Sequence, residues 1–261
     1  MNSFCSFSRR RRANGAGRST WFARVICAML IFASLKLFAA DARPNVIFIL
    51  ADDLGYGDLG CYGQKLIRTP HIDDLAKEGT RFTQVYGGAT VCAPSRCALM
   101  TGKHGGHAYI RGNRELKPEG QEPMPPGTIT VAHLMKQAGY ATGLIGKWGL
   151  GKPGSESTPG KMGFDYFFGY NCQVKAHEYY PEYLWRNNEK VMLGGSAYSH
   201  DLLAEESLAF VRKNRDRPFF LYLAFTIPHL KLQVPDLAPY GAEPWPENLK
   251  KIAAMITRMD R

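Results

Sequence analysis

A run of six apolar residues, Val46 to Ala51, constrains this chain more than any other feature, because it stops without transition at Asp52-Asp53-Leu54-Gly55. A strand with one wet face alternates apolar and polar side chains, whereas an unbroken run belongs to a parallel strand covered on both faces. Parallel neighbours need crossover connections, usually helices. The change to two aspartates and then glycine predicts a functional loop at the carboxyl end of the strand, where open α/β sheets gather their ligands.

The rest of the chain supplies such crossovers. Thr69-Pro70 opens a helix through "HIDDLAKEG", with threonine as cap, proline in the first turn and Gly79 as stop. A short strand from Arg81 to Val85 is expected next, then a helix begun by Pro94 that puts Cys92 at its N-terminus. "TITVAHLMKQAGYATGLIGKWG" reads as helix, Gly139, and a strand from Ala141 to Gly146. An amphipathic helix from His200 leads to an apolar strand at Phe219, and "PENLKKIAAMITRMDR" has helical periodicity. The fold class is therefore α/β, a mostly parallel sheet flanked by helices. The aromatic, Asn-rich segment between Gly151 and Gly195 has no steady period and reads as an insertion bordering the pocket, with its aromatics covering the sheet.

The first forty-two residues stand apart. Seven Lys and Arg (Arg9 to Arg12, Arg18, Arg24 and Lys36) against the single acid Asp41 carry +6 of the formal +10 charge of the 261 residues. They precede and overlap the apolar stretch "VICAMLIFASLKLFAA", and Ala40-Asp41-Ala42 follows as a small-residue cleavage site. That layout predicts a secretory signal with a basic n-region over 1–42, export to the periplasm or medium, and a folded domain over 43–261. A membrane anchor at 25–40 is the alternative; Lys36 interrupts the stretch, which is shorter than the roughly 20 residues of a spanning helix. With most excess charge in the leader and the rest scattered, the basic balance does not indicate nucleic acid. Beyond the leader only Cys61, Cys92, Cys97 and Cys172 occur, too few for a disulfide scaffold.

Cys92-Ala93-Pro94-Ser95-Arg96 resembles the Cys-x-Pro-Ser-Arg signature of the sulfatases, whose cysteine is oxidised to formylglycine. "NVIFILADDLGYGDLGCYG", "TPHIDDLAKEGTRFTQVY", "AGYATGLIGKWGLG" and "FFLYLAFTIPH" resemble successive segments of that family, in its order. The resemblance covers most of Pro44 to Arg261 and implies an alkaline-phosphatase-like sheet and hydrolysis of sulfate esters, on aryl or carbohydrate substrates. Such esters are anionic and resist hydroxide, so a site needs a strong nucleophile, cations on the sulfuryl oxygens and help for the leaving alcohol.

On that resemblance the nucleophile derives from Cys92, converted by a formylglycine-generating enzyme, and one hydroxyl of the hydrated aldehyde attacks sulfur. Asp52, Asp53 and the residue derived from Cys92 correspond to ligands of a calcium ion, and Arg96 to the arginine that holds nucleophile and ligands in place. Lys147 corresponds to a sulfate-contacting lysine and His229 to a sulfate-binding histidine that gives a proton to the leaving oxygen. Cys97 lies outside the motif and is expected to pack or pair, while Tyr179, Tyr180 and Trp185 are possible stacking surfaces for a sugar.

Two departures qualify the resemblance. Many relatives read Gly-Lys-Trp-His where this chain has Gly149, so the base is unidentified; a further Asp-Asn ligand pair and second lysine correspond to nothing before Arg261. The chain is accordingly expected to be the N-terminal, C-terminally truncated part of a sulfatase catalytic domain, binding calcium poorly and turning over little when expressed alone. A phosphonate or phosphate monoester hydrolase of the same superfamily and a non-catalytic sulfated-glycan-binding remnant are the competing readings.

Overall fold

Ten consecutive residues, Phe219–Pro228, form strand β6, and all ten are buried. A computed structural model of the protein, describing residues 43–261, sets β6 between β1 (Val46–Asp52) and β2 (Ala141–Lys147), both parallel to it. Beyond β2 lies β3 (Tyr166–Tyr170), also parallel, followed by the antiparallel pair β4 (Tyr183–Arg186) and β5 (Glu189–Met192). The sheet order is β1-β6-β2-β3-β4-β5.

Alternation along β6 builds a core on each face. Phe220, Tyr222 and Ala224 join Leu144, Trp148 and Phe164 beneath Ala93, Cys97 and Met100 of helix α2 (Cys92–Thr101) and Ala132 of α3 (Val131–Gln137). Leu221, Leu223 and Phe225 face the other way and pack with Leu203 and Phe210 of α4 (Ser199–Asn214). Two further helices complete the described fold: α1 (Pro70–Glu78) and the terminal α5 (Glu247–Asp260). Asp260 reaches from α5 to accept the backbone N–H groups of His71 and Ile72 at 3.1 and 2.7 Å, so the end of the chain caps α1.

Four expectations are corrected. β1 is parallel but not covered: among the described residues it pairs only with β6, and Ile47, Phe48 and Ile49 remain 48, 40 and 55% exposed. Arg81 to Val85 is not a strand; no strand lies alongside it among the described residues, and Phe82 and Val85 are exposed. The segment from 151 to 195 is no insertion, since it supplies half the sheet, β3 to β5. Thr69 does not cap α1 with its side chain, because its hydroxyl accepts from Gly60 N and donates to Asp73. The leader over 1–42 lies outside the described residues, and no described helix is long and apolar enough to cross a membrane.

The second core contains a titratable group that the site does not use. His200, on α4, is buried edge-on against Phe225 with ring centroids 4.9 Å apart, and its Nδ1 has no hydrogen-bond partner. Burial disfavours the charged ring and lowers its pKa to about 4. The unfolded chain therefore takes up this proton near pH 6.5 and the folded chain only near 4, so the stabilising contribution is present above 6.5 and lost as pH falls. His200 is expected to account for about 3 kcal/mol of the fall in stability that urea titrations read between pH 6.5 and 4. In His200→Leu this part of the profile flattens; an unchanged profile means that another group controls acid unfolding.

Candidate active site

The carboxyl ends of the parallel strands bring together residues that lie far apart in the sequence, Lys147 and Asp52 by 95 positions. β1 ends at Asp52, β2 at Lys147, and β6 delivers His229 one residue beyond Pro228. Lys147 Nζ donates to Asp52 Oδ2 at 2.6 Å, and the lysine side chain has no exposure at all. Arg96, one helical turn beyond Cys92 on α2, points into the same place. Its guanidinium donates to the Lys147 carbonyl at 2.8 Å and to the Tyr222 hydroxyl at 3.3 Å, and stands 3.7 Å from Asp52 Oδ2. Burial pushes the Asp52 carboxyl up, but Lys147 and Arg96 outweigh it and hold the group below the usual carboxylate range.

Cys92 is the first residue of α2, partly exposed, with a free thiol. Asn113 accepts the Ala93 N–H at 2.9 Å and so supports the start of the helix. Cys92 opens on a pocket of about 360 Å³ lined also by Asp52, Asp53, Ser95, Arg96, Asn113, His177 and His229. Asp53 adopts a left-handed conformation (φ 61°), which aspartate tolerates better than most residues, and its carboxylate lies 3.2 Å from His229 Nε2. The His229 carbonyl accepts the Tyr179 hydroxyl at 2.5 Å.

All six residues singled out from the sequence therefore converge: Asp52, Asp53, Cys92, Arg96 and His229 border the pocket, and Lys147 lies enclosed behind Asp52. Cys97 is a core thiol, and none of the four described cysteines is paired. Tyr179 is not a free stacking surface, and Trp185 is half-buried. Tyr179 is buried, with its hydroxyl spent on Thr226 and His229 carbonyls, and Trp185 donates its indole N–H to Glu119 at 2.8 Å. Tyr180 packs against Tyr198 with centroids 5.4 Å apart.

Sequence reasoning missed His177. It follows β3 in the 3₁₀ turn Lys175–His177, and its ring stacks on His229 with centroids 3.9 Å apart. Burial, then the neighbouring Lys147 and His229, lowers its pKa to about 4, so the ring is neutral near pH 7. The signal was available: had "YFFGY" been read as a strand, the polar residues just past its carboxyl end would have fallen under the same rule as Asp52 and Lys147.

A thiol at a helix N-terminus, with buried cations and a histidine pair gathered at the carboxyl ends of a mostly parallel sheet, is the arrangement of an alkaline-phosphatase-like α/β protein. The particular family follows from comparison: the Sulfatase family model matches residues 44–260, and the chain belongs to that family. It is 37% identical to the arylsulfatase of Hemicentrotus pulcherrimus over 226 residues, which is 78% of this chain and 40% of that protein. It is 30% identical to arylsulfatase G of Rattus norvegicus, over 92% of this chain and 52% of that protein. Among solved structures, Ps i-CgsB in complex with k-i-k-neocarrahexaose superposes with a TM-score of 0.75 at 34% identity, covering 84% of this chain and 53% of the other. The chain thus spans about half or less of the length of these relatives.

Members of the family generally use calcium and formylglycine, and the two differ in how they fit. Position 92 opens to the pocket with no competing bond, so an aldehyde hydrate is accommodated there. Calcium takes six to eight oxygens. Asp52 and Asp53 are the carboxylates that line the pocket; Asp52 is already held by Lys147, and the other groups that converge with it, His177 and His229, offer nitrogen. This donor set does not fit a calcium ion by itself.

Proposed function

We propose that this chain carries the nucleophile-bearing part of a sulfuric ester hydrolase acting from position 92. The observation that carries the reading is the opening of Cys92 onto a pocket shared with Asp53, Arg96 and His229 at the end of β6. Conversion of the thiol to formylglycine supplies a hydrated aldehyde, a nucleophile stronger than water for attack on sulfur.

The remaining work falls to side chains already in position. Behind the pocket two buried cations, Arg96 and Lys147, face the one buried carboxylate Asp52, while the carboxylate of Asp53 is mostly exposed; the buried excess of positive charge favours an anionic sulfuryl group. His229, steadied by Asp53 at 3.2 Å and through its carbonyl by Tyr179, is held to donate a proton to the leaving oxygen. Calcium would supply a Lewis acid beside Asp52 and Asp53 only where further oxygen donors complete its shell. A carbohydrate sulfate is the favoured substrate class. One solved structure similar to this chain, with a TM-score of 0.60 at 30% identity, holds its substrate D-glucosamine-2-N,6-O-disulfate. The proposed setting is outside the cytoplasm, with residues 1–42 as a removable export signal.

The test is co-production with a formylglycine-generating enzyme, mass spectrometry of the Cys92 peptide, and rates on 4-nitrophenyl sulfate and an aryl phosphonate. Expected are an aldehyde at position 92, low turnover with a preference for the sulfate, and loss of that turnover to background in Cys92→Ala. Preference for the phosphonate selects the phosphonate hydrolase of the same superfamily. An unconverted thiol and no turnover select a glycan-binding remnant.

A further inference from the structure

His177 is placed by polar and ring contacts rather than by the apolar core. It belongs to none of the apolar clusters, yet its ring lies flat on His229, 13° from parallel, and its Nε2 stands 3.3 Å from Lys147 Nζ. An ammonium has no acceptor, so Nε2 accepts and the neutral ring carries its proton on Nδ1. The same ring lines two cavities, the pocket of about 360 Å³ that holds Cys92 and a neighbouring one of about 470 Å³ bounded by Lys175, Glu178, Tyr183 and Lys231. His177 is thus the residue against which a substrate spanning the two cavities would lie.

The local chain is arranged to deliver this ring. Position 149, just beyond Lys147-Trp148, has no side chain, and its backbone is left-handed (φ 69°). A Cβ there would stand 2.0 Å from Gln173 Nε2, and that amide donates to the Gly149 carbonyl at 3.0 Å. The segment after β3 thus closes the space beside Gly149 with Gln173 and, four residues on, inserts an imidazole into the pocket.

We propose that His177 is a catalytic residue, its imidazole hydrogen-bonding the substrate where the sulfuryl group meets the leaving oxygen. The assignment rests on the sulfuric ester reading above and adds to it a second histidine, stacked on His229, at the junction of sulfuryl pocket and alcohol subsite.

The experiment uses the full chain co-produced with a formylglycine-generating enzyme, as wild type, His177→Ala and His177→Gln. Turnover of 4-nitrophenyl sulfate is measured beside calorimetric binding of inorganic sulfate. His177→Ala is expected to lower kcat by about 100-fold with a smaller change in KM, and to weaken sulfate binding several-fold. His177→Gln, which keeps a hydrogen-bonding end, recovers part of both. Wild-type kcat and sulfate affinity in either folded variant overturn the role of His177 while leaving the sulfuric ester reading intact. A converted wild type that neither binds sulfate nor turns over the ester overturns both.

Discussion

Asp52→Asn is expected to cost about 3–5 kcal/mol of folding stability, the range for removing one partner of a buried charge cluster. The reason lies in the arithmetic of the triad. One carboxylate serves two cations, and both cations are almost wholly enclosed, Lys147 with 0% and Arg96 with 3% of the side chain exposed. Neutralising Asp52 leaves two buried positive charges facing each other. Lys147→Met, by contrast, leaves Arg96 and Asp52 as a neutral pair and is expected to cost less. Urea titrations of both single variants and the double variant close a double-mutant cycle, in which the double variant is less damaged than the sum of the singles. A smaller loss in Asp52→Asn than in Lys147→Met is incompatible with an ionised triad. The pH dependence has a definite sign. Because the folded carboxyl titrates below its ordinary value, its contribution is present above the unfolded pKa of about 3.9 and is lost as pH falls through the lower folded value. The gap between wild type and variant is thus level at neutral pH and narrows only in strong acid.

Gly146→Ala and Gly169→Ala are expected to damage sheet and site together. These glycines share a row of the sheet with Ala224: Gly146 pairs with Ala224 on one side and Gly169 on the other. Both have left-handed backbones, φ 118° and 148°, and a Cβ would stand 2.0 Å from the Ala224 oxygen or 1.9 Å from the Gly146 oxygen. Strain at such φ values costs roughly 1–3 kcal/mol and overpacking a similar amount, so about 2–6 kcal/mol is expected for each. The next row carries Lys147, so turnover should fall along with the urea midpoint. Gly57→Ala is the control: no atom lies within 4 Å of its Cβ position, and its cost should stay within about 0.5 kcal/mol.

How much of this was legible beforehand depended on whether the local pattern named its own environment. β2 and β6 could be read because unbroken apolar runs have one physical solution, burial in a sheet, and both strands are buried throughout. In β1 the same pattern specifies a parallel strand but not its covering: exposure depends on which neighbours lie alongside, and among the described residues only β6 does. β3 to β5 escaped notice because Tyr, Gly and Asn interrupt any period. Gly169 serves close strand packing, and Trp185 and Tyr183 direct their polar ends to Glu119, and neither purpose has a local signature.

The sequence by itself determined the chemistry on offer: the Cys-x-Pro-Ser-Arg signature, carboxylates and a lysine at strand ends, and the order of segments that marks a sulfatase. These are properties of residue type, spacing and the hydrophobic period, all carried within a few neighbouring positions. Only the tertiary structure decided which groups meet. It enclosed Lys147 between Asp52 and His177, turned Arg96 onto the backbone of β2, and stacked His177 on His229, fifty-two residues away. The physical reason is that such contacts depend on strand order and on a row of glycines that lets backbones approach, and neither is encoded at the residues that finally touch.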